Sequence, residues 1–163
     1  MASKHKAEVS LPSDTEIVVT RSFDAPPALV YRALTEPALV KRWLLGPPGW
    51  SMPVCDIDLK VGGRYHYRWR NDADGSEFGL NGTFEQIERD KLLNSRESFE
   101  DTGPAGEAHV AITFQPQGAG TRVIYLITAE SKEAREQAIA SGMTDGMEMS
   151  FQQLDQLLPV IAA

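Results

Sequence analysis

The sequence predicts an α+β domain: a curved seven-stranded antiparallel sheet wrapped around a long C-terminal helix, with two short helices between strands one and two. Three observations predict it. One β-branched segment stands alone near the start, and six more strand-like segments follow a proline-rich helical stretch. The chain then closes on a long helical segment with an apolar stripe. Strands joined by loops of about 2–6 residues pair antiparallel, because a parallel crossover needs many more. Such a sheet has to bury one face, and the striped helix is the available cover.

Residues 1–14 show no periodicity and read as a disordered lead-in, leaving 15–160 as the single domain. Thr15–Phe23 is β-branched and reads as the first strand. Asp24-Ala25-Pro26-Pro27 places proline in a first helical turn, where its missing N–H has no partner to lose. A short helix is therefore expected over Pro26–Leu34, with Leu29, Val30, Ala33 and Leu34 inward. Glu36-Pro37 opens a second to about Leu45, carrying Leu39, Val40, Trp43 and Leu44, and Gly46-Pro47-Pro48-Gly49 stops it. Strands follow at Ser51–Leu59, Gly63–Arg70, Glu77–Ile87, Leu92–Glu100, Ala108–Gln115 and Thr121–Glu130. The final helix runs from about Ser131 to Leu158, with Ser131 as N-cap and Glu133 in its first turn. Met143, Met147, Phe151, Leu154 and Leu158 form its stripe. Gly142 and Gly146 inside it each cost about 1 kcal/mol relative to alanine, which points to a kink or a close approach.

Composition narrows the class. A length of 163 residues fits one domain, and 42% hydrophobic with 24% charged residues suits a globular protein. No apolar run nears the ~20 residues that span a bilayer, and MASKHKAEVS has no apolar core for a secretory signal, so a cytoplasmic location is expected. The single cysteine, Cys55, forms no internal disulfide and no cysteine-based zinc site. A net charge of −7 argues against nucleic acid as the partner.

Strand Gly63–Arg70 says most about the interior. Alternation puts Tyr65, Tyr67 and Trp69 on one face and Arg64, His66, Arg68 and Arg70 on the other, so the aromatics look inward. Taking the turn as Asn71–Asp74 pairs Tyr67 with Phe78, Tyr65 with Leu80 and Arg68 with Glu77. The inner wall then holds Tyr65, Tyr67, Trp69, Phe78 and Leu80, joined by Trp43, Trp50, Met52, Met143, Met147 and Phe151. Two readings of this lining stand: a plain core, or the wall of a ligand cavity. Inward hydroxyls need partners and methionines adapt to varied shapes, which favours the second.

Motifs for catalysis are absent: no phosphate-binding or dinucleotide glycine loop, no H-E-x-x-H, no G-x-S-x-G. Asp56 and Asp58 share a strand face beside Lys60 and read as a surface charge ladder. His66 and His109 fall on outward faces, and Cys55 on an inward one. No catalytic residue, metal site or cofactor is assigned.

The stretch FDAPPALVYRALTEPALVKRWLLGP resembles the opening of the helix-grip superfamily called SRPBCC, or START-like, to which the birch-pollen allergens belong. More narrowly, the chain resembles the bacterial activator of heat-shock-protein-90 ATPase homologue-like family. The features that carry this are Ala25-Pro26 through Trp43, Gly46-Pro47, Asp58–Tyr65 (DLKVGGRY), the Asp74-Gly75 hairpin, Gly82, Gly120-Thr121-Arg122, and Gly146–Leu157 (GMEMSFQQLDQL). The resemblance covers about residues 15–158. It implies an apolar cavity between the C-terminal helix and the sheet, used across the superfamily for lipids, sterols and polyketides. Some members have become cyclases, dehydratases or hydroxylase components.

Three functions are consistent with these residues. The leading one is binding of a hydrophobic or aromatic small molecule in the cavity, without covalent chemistry. A cyclase- or dehydratase-type enzyme would need an acid or base inside, and the orientation of Asp56, Glu97 and His109 decides that reading. An interaction module, for a chaperone partner, would use the Arg64/Arg68/Arg70 face, partly neutralised by Glu77. A homodimer is compatible with the sequence, and membrane insertion is not expected.

Overall fold

In the computed structural model, which describes residues 4–100 and 106–162, a three-residue strand β1 (Glu8–Ser10) precedes β2 (Glu16–Phe23). Helices α1 (Pro27–Thr35) and α2 (Pro37–Trp43) follow. Then come β3 (Trp50–Ile57), β4 (Arg64–Asn71), β5 (Glu77–Glu88), β6 (Leu92–Phe99), β7 (Ala108–Gln117) and β8 (Gly120–Thr128). Helices α3 (Lys132–Ala140) and α4 (Met143–Ala162) close the chain. The strands make one sheet in the order β1-β2-β8-β7-β6-β5-β4-β3, with every neighbouring pair antiparallel.

The α+β class, the two short helices and the long terminal helix are as expected; the strand count is eight rather than seven. The addition is β1, which lies in the segment expected to be disordered and pairs Val9 with Val19. Its three residues are all exposed, so backbone pairing to the edge of β2 holds it rather than burial. Further anchoring comes from the Ala7 N–H, which donates to Glu148 Oε1 at 2.8 Å.

Both short helices start on proline, at Pro27 and Pro37, with no side-chain cap. They bury Val30, Ala33, Leu39, Val40 and Trp43, and the Trp43 indole N–H donates to the Ala33 carbonyl at 2.8 Å. That bond satisfies a polar atom that burial would otherwise strand.

The terminal helix is two helices. Ser131 caps α3 as expected, its side chain accepting from the Ala134 N–H. Gly142 then takes φ +84, a left-handed conformation that glycine adopts without steric cost, and the chain turns into α4. α3 buries no residue, whereas α4 buries Ser150, Phe151, Leu154, Leu157 and Leu158.

The core forms where α4, α1 and α2 meet the inner face of the sheet. Ile17, Val19, Val123, Val30, Ala33 and Leu154 are wholly excluded from water. Phe151 sits at the centre, with ring centroids 5.6 Å from Phe23, 5.7 Å from Tyr125 and 6.3 Å from Trp43. Arg21, on the inner face of β2, is also fully buried. Its guanidinium donates to Glu148 Oε1 at 3.0 Å and to Asp155 Oδ2 at 2.6 Å, and lies 5.0 Å from the Phe23 ring centroid. Glu148, Phe151 and Asp155 lie three to four residues apart, so one face of α4 carries both acids and the aromatic.

Candidate functional site

Away from that sealed core, the inner face is only partly covered. Tyr67, Tyr125, Ile112, Ile127, Met143 and Met147 pack against the core yet keep part of their surface accessible. The reason is local: α3 contributes no buried residue, and the first turns of α4 lie beside it. The covering helices therefore seal one end of the inner face more completely than the other, where these side chains stay part-exposed beside the first turns of α4; that less covered stretch is the candidate cleft.

β4 supplies the aromatic wall. Tyr65, Tyr67 and Trp69 face inward, with centroids 5.3 Å apart for the tyrosines and 5.8 Å for Tyr67 and Trp69. Arg64 and Arg70 are exposed on the opposite face. The pairing partners differ from those expected: Tyr67 lies opposite Leu80, Trp69 opposite Phe78, Tyr65 opposite Gly82 and Arg70 opposite Glu77. The shift is two residues, so inward residues stay inward. It arises because the turn spans Asn71–Ser76, where Asn71 Oδ1 accepts from the Ala73 N–H and Asp74 Oδ1 from the Ser76 N–H. Arg68 still reaches Glu77 Oε1, diagonally, at 3.3 Å.

At the open end the wall runs to the surface. Trp69 stacks on Phe78 at 5.0 Å, and Phe78 meets Trp50 at 5.4 Å and Phe99 at 6.1 Å. Phe78 is 37% exposed and Phe99 45%, so they form the rim. The Trp69 indole N–H donates to the Leu44 carbonyl at 2.7 Å, fastening the end of α2 to the wall.

The eleven candidate residues divide accordingly. Tyr65, Tyr67, Trp69 and Leu80 are on the inner face, with Phe78 and Trp50 at the rim. Met143 and Met147 lie on the part-covered stretch of α4. Trp43, Met52 and Phe151 are core, at 2%, 7% and 2% exposure.

Of the three acids and bases that decide the chemistry, Asp56 is exposed and His109 faces outward, 3.5 Å from Glu85. Glu97 faces inward. It follows Leu93 and Ser95, both buried, on the inner side of β6. Tyr65 reaches it from β4, two strands away, donating to Glu97 Oε2 at 2.6 Å with Ser95 Oγ 3.0 Å from the same phenol. The strand between is β5, where Gly82 leaves the space: a Cβ there would fall inside the Tyr65 ring. Burial raises the Glu97 carboxyl above its usual range, against the bond from Tyr65, which lowers it. No charged side chain pairs with Glu97 among the described residues.

Burial also pushes the Tyr65, Tyr67 and Tyr125 phenols well above their ordinary value, so they stay neutral donors. The Cys55 thiol is pushed up to about 11 by the same cause, which makes it inert. Among the described residues no cluster of histidine, cysteine and acidic side chains could hold a metal ion. No described helix is long and apolar enough to cross a membrane.

Two surface depressions, of about 310 and 490 Å³, lie on a different part of the molecule. Both involve the N-terminal segment and the β7–β8 turn, with His5, Ser22 and Gln117 common to them. The larger is lined by polar and charged side chains throughout, and the smaller adds only Phe23 and Ala119 as apolar side chains.

The helix-grip arrangement now has its sequence counterpart. The model of the family described as Activator of Hsp90 ATPase homolog 1-like protein matches residues 24–159. The chain belongs to this family. Solved structures of bacterial proteins superpose on it throughout. One from Rhodobacter sphaeroides is 30% identical with a TM-score of 0.89, covering 95% of this chain and 99% of its own. Another, from Nitrosomonas europaea, is 26% identical at 0.81, covering 93% and 99%. A third, from Mycobacterium smegmatis, is 25% identical at 0.84, covering 93% and 95%. No curated protein matches the chain. Membership of the Hsp90-activator-like family thus carries the fold, and function has to be argued from the cleft.

Proposed function

We propose that the protein binds a hydrophobic or aromatic small molecule, of lipid or polyketide-like size, in the cleft between α4 and the sheet. The observation that carries this is the inner-face wall of Tyr65, Tyr67 and Trp69, continuous with a water-exposed aromatic rim at Phe78 and Phe99. Apolar concave sites with a few converging polar groups are where small molecules bind. Met143 and Met147 supply an adaptable opposite wall. Filling the cleft from that side is the test. A Met147→Trp variant that folds normally should lose binding of 2-naphthylmethanol in isothermal titration calorimetry. Equal binding by the variant and the wild type would overturn the placement.

A second reading, an enzyme of cyclase or dehydratase type in the same cleft, is favoured by one observation. Glu97 is an inward acid whose carboxyl burial raises toward the range useful for proton transfer. Turnover of a bound polyketide-like substrate by wild type and not by Glu97→Gln would establish it. The Arg64/Arg68/Arg70 face carries less weight for a chaperone partner, since Arg68 is already held by Glu77 and Glu100.

A further inference from the structure

The inner face carries two ionic arrangements of opposite kind. Arg21 is buried with two acids, Glu148 and Asp155, that answer its charge. Glu97 is turned inward with no cation to answer it among the described residues. Several other acids of the sheet are matched: Glu85 with Arg96, and Glu77 and Glu100 with Arg68. A lone carboxyl taken out of water is costly unless something compensates it.

What surrounds Glu97 is directional. Ser95 and Tyr65 are chained toward it, and Tyr65 spends its proton on Oε2. Oε1 has no partner among the described residues. Burial first, and after it the nearby Glu97 charge, disfavours ionisation of Tyr67 and Tyr125, and their hydroxyls likewise have no partner among the described residues. Both rings stay part-accessible at the cleft. An unpartnered carboxylate oxygen next to the Tyr65–Tyr67 ring pair is chemistry that receives an organic cation, through a charge-assisted hydrogen bond and the negative faces of aromatic rings.

We infer that the cleft selects ligands with an apolar body and a protonated amine, the ammonium seated on Glu97 Oε1 between the Tyr67 and Tyr125 rings. This rests on the binding reading above and deepens it by naming the head group. Glu97 thereby acts as counter-charge rather than as acid catalyst, and no bond of the ligand is broken.

The experiment uses three probes with one naphthalene body: 2-naphthylmethylamine, 2-naphthylmethanol and 2-naphthoate. Each is titrated calorimetrically into the wild type, Glu97→Gln and Tyr67→Phe. In the wild type the amine should bind about tenfold or more tighter than the alcohol, and the carboxylate weakest. Glu97→Gln should remove the amine's advantage over the alcohol, while Tyr67→Phe, which keeps the ring, should retain most of it. Equal wild-type affinities for amine and alcohol would overturn the inference and leave the binding reading standing. An amine preference that survives Glu97→Gln would overturn it too. Failure of all three probes to bind would defeat the binding reading itself.

Discussion

The phenol of Tyr65 on β4 crosses the bare Cα of Gly82 on β5 to donate to Glu97 on β6 at 2.6 Å. Three adjacent strands thus share one polar contact on the inner face. The contact needs each part. Tyrosine supplies the reach, glycine the clearance and glutamate the acceptor. It places the cleft's inward carboxyl by a bond that backbone pairing alone would not make.

Gly82→Ala should displace that ring. The added methyl would overlap Tyr65 carbons, and overpacking of this kind costs about 1–3 kcal/mol. Urea unfolding should show the loss. In the Tyr65→Ala background the same substitution should cost much less, since the overlapping ring is gone. Simple additivity in the cycle would mean Gly82 matters for another reason.

Arg21 should be the most sensitive position for anchoring α4. Truncation to alanine leaves Glu148 and Asp155 facing a space without their cation, and breaking a buried pair costs about 3–5 kcal/mol. Arg21→Met, which keeps much of the packing volume, should cost less than Arg21→Ala. Chemical denaturation of both variants checks the order.

Two acids should give opposite pH dependences. Glu148 is held below its usual value by bonds from Arg21, Gln152 and the Ala7 N–H, against burial, which raises it. Its stabilisation is present above the unfolded value of 4.5 and is lost as pH falls through the lower folded value. Glu97 is raised, so its contribution is full below 4.5 and is lost as pH rises through the folded value. Stability measured across pH should therefore fall less on the alkaline side in Glu97→Gln than in the wild type. Arg21→Met should flatten the acid side instead.

How far the residues announced this is uneven. Alternation along Gly63–Arg70 gave the correct inward set because parity survives a two-residue change of register. The register itself depended on Asn71 and Asp74 turning the backbone with their side chains, which widened the hairpin. Gly142 was legible as a disturbance, and its positive φ makes it a break between helices. β1 escaped because three exposed residues with no apolar face carry no periodic signal.

The charged interior was legible in principle. Arg21 has the same parity as Ile17, Val19 and Phe23, all core, so alternation alone would have turned it inward. Glu97 shares parity with Leu93, but Leu92–Phe99 mixes polar residues on both faces. Gly82 offered the remaining clue, a strand glycine marking where a side chain passes closely.

The central claim, that the cleft beside α4 receives a small molecule, is tested most directly at its methionines. The chain has five, and ¹³C-methyl labelling makes each visible by NMR. Titration with 2-naphthylmethylamine should shift the Met143 and Met147 methyls together. Met149, 43% exposed, should stay unchanged. Unmoved Met143 and Met147 signals at saturating probe, or an equal shift at Met149, would contradict the account.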